Sequence, residues 1–98
     1  METTYFTIAG AGHCYGTDFL KPGMQVTLVK EPGNNADNEA IKVTMPGLGR
    51  IGYVANSVNT RLGESASAGR IYDKIDDGVQ GTVVYVLPGA VLCSLNEA

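Results

Sequence analysis

Glycine and proline interrupt this chain too often to leave room for a long helix, and that constrains its fold most. The 98 residues hold 13 glycines and 4 prolines, glycine at nearly twice its usual share of about 7%. Both residue types are unfavourable inside helices and strands, so they mark turns. Between them lie short runs rich in β-branched and aromatic residues, the composition of strands.

Thr3 to Ala9 sets Tyr5, Thr7 and Ala9 against Thr4, Phe6 and Ile8, the period of a strand buried on one face, and it stops at Gly10. After the loop Gly10 to Gly16 and the turn Lys21-Pro22-Gly23, Gln25 to Val29 presents Val26 and Leu28 on one side of a second strand. Glu31 to Asn38 (Glu-Pro-Gly-Asn-Asn-Ala-Asp-Asn) is loop chemistry throughout. Ala40 to Met45 and Arg50 to Val54 are two arms of a hairpin turned by Pro46-Gly47-Leu48-Gly49. From an N-cap at Asn56 or Ser57, Val58, Leu62 and Ala66 recur every fourth residue, which predicts a short helix that Gly63 and Gly69 limit. Ile71 and Ile75 suit a second helical turn or an irregular loop. Val79 to Leu87 and Ala90 to Leu95 flank Pro88-Gly89 as a closing hairpin.

The expected fold class is therefore all-β with one or two short helices: a small barrel of about six strands, closed or nearly so because closure removes exposed edges. A chain this short makes one domain, over residues 1–98. Hydrophobic residues at 44% supply one modest core and exclude a disordered tail.

Ten acidic against seven basic residues give a net charge of −3, with no basic run. That excludes a strong, nonspecific grip on duplex DNA or anionic membrane. Cys14 and Cys93 allow at most one bridge, fewer than a small secreted domain carries, and the N-terminus lacks the basic and apolar regions of a signal peptide. A cytoplasmic location is expected, with no membrane-spanning segment.

Gly47-Leu48-Gly49-Arg50-Ile51-Gly52 matches the dinucleotide fingerprint letter for letter. That site needs a helix starting inside the glycine run, with its amides on the pyrophosphate. Here the run continues into β-like Ile51-Gly52-Tyr53-Val54, so it is read as a hairpin turn and no cofactor is expected. His13 and Cys14 are the obvious pair for nucleophilic or metal chemistry. Neighbours on extended backbone point to opposite faces, and one His with two Cys falls short of a zinc site. No catalytic or metal-binding residue is expected, and Cys93 is read as a small buried hydrophobe. Asp37 suits either a loop-stabilising acceptor or a ligand contact, or both. Tyr15 and Tyr53, at a loop and a strand end, suit either base stacking or capping of the core.

Glu31 to Val43, followed by Arg50-Ile51-Gly52-Tyr53-Val54, resembles the HIRAN domain family. The hallmark is an acidic-Pro-Asn-x-x-Asp-x-x-Ala-Ile-x-Val block and then an Ile/Val-Gly-Tyr/His step. Phe6 to Ala9 and Gly23 to Leu28 fit as well, so the resemblance covers about residues 5 to 66. It implies an OB-like barrel. It also implies capture of the 3′ end of single-stranded DNA, in modules attached to helicase-like ATPases, standing alone, or beside nucleases. By resemblance Asp37 holds the terminal sugar hydroxyl, Tyr15 and Tyr53 stack on bases, and His13 and Asn56 are polar contacts. Where end-binding members have an Arg-Tyr pair, this chain has His13-Cys14. An aromatic before the Asp is replaced by Ala36, and a lysine by Asn56.

The expectation is a noncatalytic module binding single-stranded DNA or its 3′ end in DNA repair or processing, weakly for want of cations and one aromatic platform. The rival expectation is a protein-interaction barrel that has lost DNA-end binding and docks on a partner such as a nuclease or helicase-like ATPase.

Overall fold

The computed structural model describes residues 3–34, 39–57 and 60–96, with the backbone alone at His13. Each β-rich run becomes a strand: β1 (Tyr5–Ala9), β2 (Gln25–Glu31), β3 (Ala40–Met45), β4 (Gly49–Val54), β5 (Gln80–Leu87) and β6 (Ala90–Leu95). All pairings are antiparallel, in the closed order β1-β4-β3-β2-β5-β6. The expected small OB-like barrel is therefore the fold. No described helix is long and apolar enough to cross a membrane.

Alternation directs one face of each strand inward. Phe6, Ile8, Val26, Leu28, Ile41, Val43, Ile51, Val83, Val91 and Cys93 are all essentially excluded from solvent and form the core. The glycine run at 47–52 is a hairpin, as its β-like continuation implied: Leu48 N–H donates to the Met45 carbonyl, and Gly47 takes the left-handed φ of 84° that the turn needs. Gly49 opens β4 rather than ending the turn, and β2 runs on past Val29 to Glu31.

Two glycines allow the layers to approach. A Cβ on Gly52 would lie 2.6 Å from Ile8 Cγ2 and 2.9 Å from the Ala9 carbonyl oxygen. One on Gly81 would lie 2.8 Å from the Phe6 ring. A β-bulge between β3 and β4 pairs Val43 with Gly52 but Thr44 with Arg50, leaving Ile51 as the extra residue. Ile51 turns into the core, and Arg50 and Tyr53 emerge on the same outer face.

Of the helix expected from Asn56 or Ser57 to Ala66, residues 60–66 are not helical, and Val58 lies outside the described residues. A single turn closes, with Arg61 N–H on the Ser57 carbonyl. β1 then takes the backbone groups that would have continued it. Leu62 N–H donates to Thr7 Oγ1 at 3.0 Å, and Ala66 N–H donates to the Tyr5 carbonyl at 2.7 Å. The helix that does form, α1 (Ala68–Ile71), starts from Ser67, whose hydroxyl accepts from Arg70 N–H. Ile71 and Ile75 are both buried, but only Ile71 is helical. Residues 60–66 also cover Thr7, which alternation would send to water; its hydroxyl lies 2.7 Å from Ser65 Oγ inside the protein.

Replacing Gly52 with alanine should lower stability in urea by about 1–3 kcal/mol, since the Ala9 carbonyl belongs to the paired backbone and cannot step aside. Gly33→Ala, whose Cβ would meet nothing within 4 Å, should stay within about 0.5 kcal/mol of the parent. Equal effects of the two would contradict the close approach of β1 and β4.

Candidate functional site

The outer face of β2, β3 and β4 gathers the chemistry. Lys42 on β3 pairs with Tyr53 on β4, and Glu31 ends β2 one diagonal step away. Tyr53 O–H donates to Glu31 Oε1 at 2.9 Å, while Arg50 Nη1 donates to the Tyr53 oxygen at 3.2 Å. The guanidinium carbon lies 5.4 Å from the Tyr53 ring centroid, within cation-π range. Asn34 Nδ2 donates to Glu31 Oε1 at 3.0 Å, and Lys42 Nζ stands 3.9 Å from Oε2. The Asn34 amide is the chief cause holding the Glu31 carboxyl below its ordinary range; partial burial opposes it, and Tyr53, Lys42 and Arg50 add to the lowering. Arg50 is held more firmly protonated, first by the Tyr53 oxygen and then by the Cys14 thiol beside it.

The loop after β1 comes over this face. A 3₁₀ turn at Ala11–His13 opens from left-handed Gly10, and Cys14 and Gly16 N–H both donate to the Ala11 carbonyl. That tight reversal brings Cys14 to Arg50 and Tyr15 to the β3–β4 turn. There Tyr15 O–H donates to the Leu48 carbonyl at 3.2 Å. The Tyr15 ring stands edge-on to Phe19, with 54% of the residue exposed.

Of the five candidates, Tyr15 reaches the Leu48 carbonyl in the β3–β4 turn and Tyr53 meets Arg50, which Cys14, the neighbour of Tyr15, also approaches. Asn56 lies against α1: its Oδ1 accepts from Gly69 N–H at 2.8 Å, in a space it shares with Glu39. Asp37 and the His13 side chain lie outside the described residues. Sequence reasoning missed Arg50, Lys42 and Glu31 as site residues. The seven cations form no run in the sequence, yet two of them meet here. The hairpin register carried a signal for Lys42, but the bulge that brings Arg50 round carried none. Among the described residues, no group of three His, Cys, Asp or Glu is arranged to hold a metal ion.

A concavity of about 400 Å³ lies elsewhere, on the outer face of β1, β6 and β5. Tyr5, Tyr85, Leu62, Leu87 and Leu92 line it, with Glu64 as its charged residue. β6 stands across the ring from β3, so this groove and the Tyr53 face look in opposite directions.

The HIRAN domain family model matches residues 1–86, extending past the stretch that carries the sequence resemblance. Among solved structures, the chain is similar to the crystal structure of the HIRAN domain of human HLTF, at a TM-score of 0.62 and 18% identity, over 95% of this chain and 74% of that one. At that identity the likeness carries the barrel and not the site. No curated protein is similar enough to match.

Both cysteines are free, Cys14 half-buried and Cys93 fully buried, and burial pushes the Cys93 thiol up to about 12. With iodoacetamide at pH 8, mass spectrometry should find Cys14 alkylated in the native protein and Cys93 modified only in denaturant. Modification of Cys93 at the rate of Cys14 would contradict its place in the core.

Proposed function

The chain belongs to the HIRAN domain family, and from that premise we propose that it is a noncatalytic module, one domain over residues 1–98, that binds single-stranded DNA at its 3′ end in DNA repair or processing. The observation that carries this reading is the Arg50–Tyr53 pair on the barrel's outer face: an aromatic ring for a base, beside a cation for a phosphate. Tyr15 supplies a second ring from the β1–β2 loop, and Lys42 a second cation. Asp37 is assigned the terminal hydroxyl by the family resemblance, with His13 and Asn56 as flanking polar contacts. With net charge −3, the module binds weakly and draws its affinity from stacking more than from phosphate.

A second reading rests on the opposite groove. Tyr5 and Tyr85 are 42% and 58% exposed beside leucines, an aromatic and apolar surface of the kind protein interfaces use. It favours docking on a partner such as a nuclease or a helicase-like ATPase.

Fluorescence anisotropy with a short oligonucleotide, its 3′ end free or phosphate-blocked, tests the first reading. Two or three cations on phosphate give a log-log salt slope of about −1.4 to −2.1. Tyr53→Ala should cost about 1–3 kcal/mol of binding. Equal affinity for free and blocked ends removes end capture while keeping strand binding. No binding at low salt, together with co-purification of a protein partner, moves the assignment to the second reading.

A further inference from the structure

The carboxylate at the centre of the Tyr53 face is unexpected for a surface that meets phosphate. Glu31 touches both cations there, Lys42 directly at 3.9 Å and Arg50 through the phenol oxygen that Arg50 donates to and Glu31 accepts from. It is also held in place: Asn34, three residues on, donates to it through its side chain and donates from its backbone N–H to the Glu31 carbonyl. A carboxylate so fixed presents two anionic oxygens to the same donors that a phosphate oxygen would use.

We propose that Glu31 is a built-in counter-ion, which a phosphate-bearing strand must displace from, or share with, Lys42 and Arg50, so that this one residue limits the affinity of the Tyr53 face for anions. The proposal rests on the strand-binding reading above for its ligand, and on the hydrogen-bond geometry alone for its mechanism. The lowered Glu31 carboxyl fits it, because it keeps the side chain charged throughout the neutral range. A purely structural Glu31 would differ in one respect. Glutamine keeps an oxygen to accept from Tyr53 and Asn34 and loses only the charge, so a structural role survives the exchange and a counter-ion role does not.

The test compares the parent with Glu31→Gln. A single-stranded oligonucleotide is followed by anisotropy across a salt series, and inorganic tripolyphosphate by amide shifts at residues 42 and 50. Removing one charge about 4 Å from a cation in water corresponds to roughly fivefold tighter binding, with the salt slope steeper by about 0.7 as one more cation meets phosphate. Lys42→Gln in the same chain should cancel most of the gain. Glu64→Gln, an equal change in net charge across the barrel, should leave both readings where they were, since salt screens charges beyond about a Debye length. Unchanged or weaker binding by Glu31→Gln, or an equal gain from Glu64→Gln, overturns the proposal. If the oligonucleotide binds neither protein while tripolyphosphate still prefers Glu31→Gln, the DNA reading falls and the counter-ion stands. If the oligonucleotide binds both equally, the reverse holds.

Discussion

Closure of the barrel through β1 is the constraint on which the rest of the molecule depends. β1 is five residues long, yet it pairs with β4 on one edge and β6 on the other, joining the first half of the chain to the last. Without it the sheet would expose two edges and uncover Phe6 and Ile8. The closure is steric before it is energetic. Phe6 needs the bare backbone of Gly81, and Ile8 needs that of Gly52, because side chains there would occupy the same space. These two glycines, each inside a strand, are thus packing residues.

The same closure builds the site. Because β1 lies against β4, the loop leaving β1 has only a short path to the β3–β4 hairpin, and the 3₁₀ turn after Gly10 aims Cys14 and Tyr15 at Arg50 and the Leu48 carbonyl. The bulge at Ile51 supplies the other half. Strict alternation would send Arg50 and Tyr53, three residues apart, to opposite faces; one extra residue in β4 puts both outside and returns Ile51 to the core.

Sequence reading succeeds here where structure is local and falters where a distant segment intervenes. Both hairpins are legible because Pro-Gly and Gly-x-Gly turns sit between runs of β-branched residues, and their strands fall within a residue of expectation. The six-strand barrel follows from counting those runs. The stretch from Asn56 to Ala66 misleads because its four-residue period is real but unused: Thr7 and the Tyr5 carbonyl capture the amides of Leu62 and Ala66. Thr7 itself breaks the inside-outside pattern for the same reason, its hydroxyl satisfied by Ser65 under that loop. Tyr15 and Tyr53 were legible as phenols at a loop and a strand end, the positions they take, with Tyr15 exposed and Tyr53 half-buried. Arg50 and Glu31 were not, since their meeting depends on a bulge and on the far end of a different strand.

The barrel divides its chemistry between opposite walls. On the β2–β3–β4 side Glu31, Lys42, Arg50 and Tyr53 form one connected set of charges and hydrogen bonds, whereas the β1–β6–β5 side offers Tyr5, Tyr85 and leucines with a single carboxylate at Glu64. Among the described residues the charged wall sets two cations against one carboxylate, so charge alone gives it little hold on a polyanion. For the strand-end binding proposed above, weak electrostatics would favour discrimination, because a strand lacking the correct end would gain little from phosphate alone. A strongly basic wall would hold any stretch of backbone equally well, and the proposed preference for a terminal nucleotide would be lost.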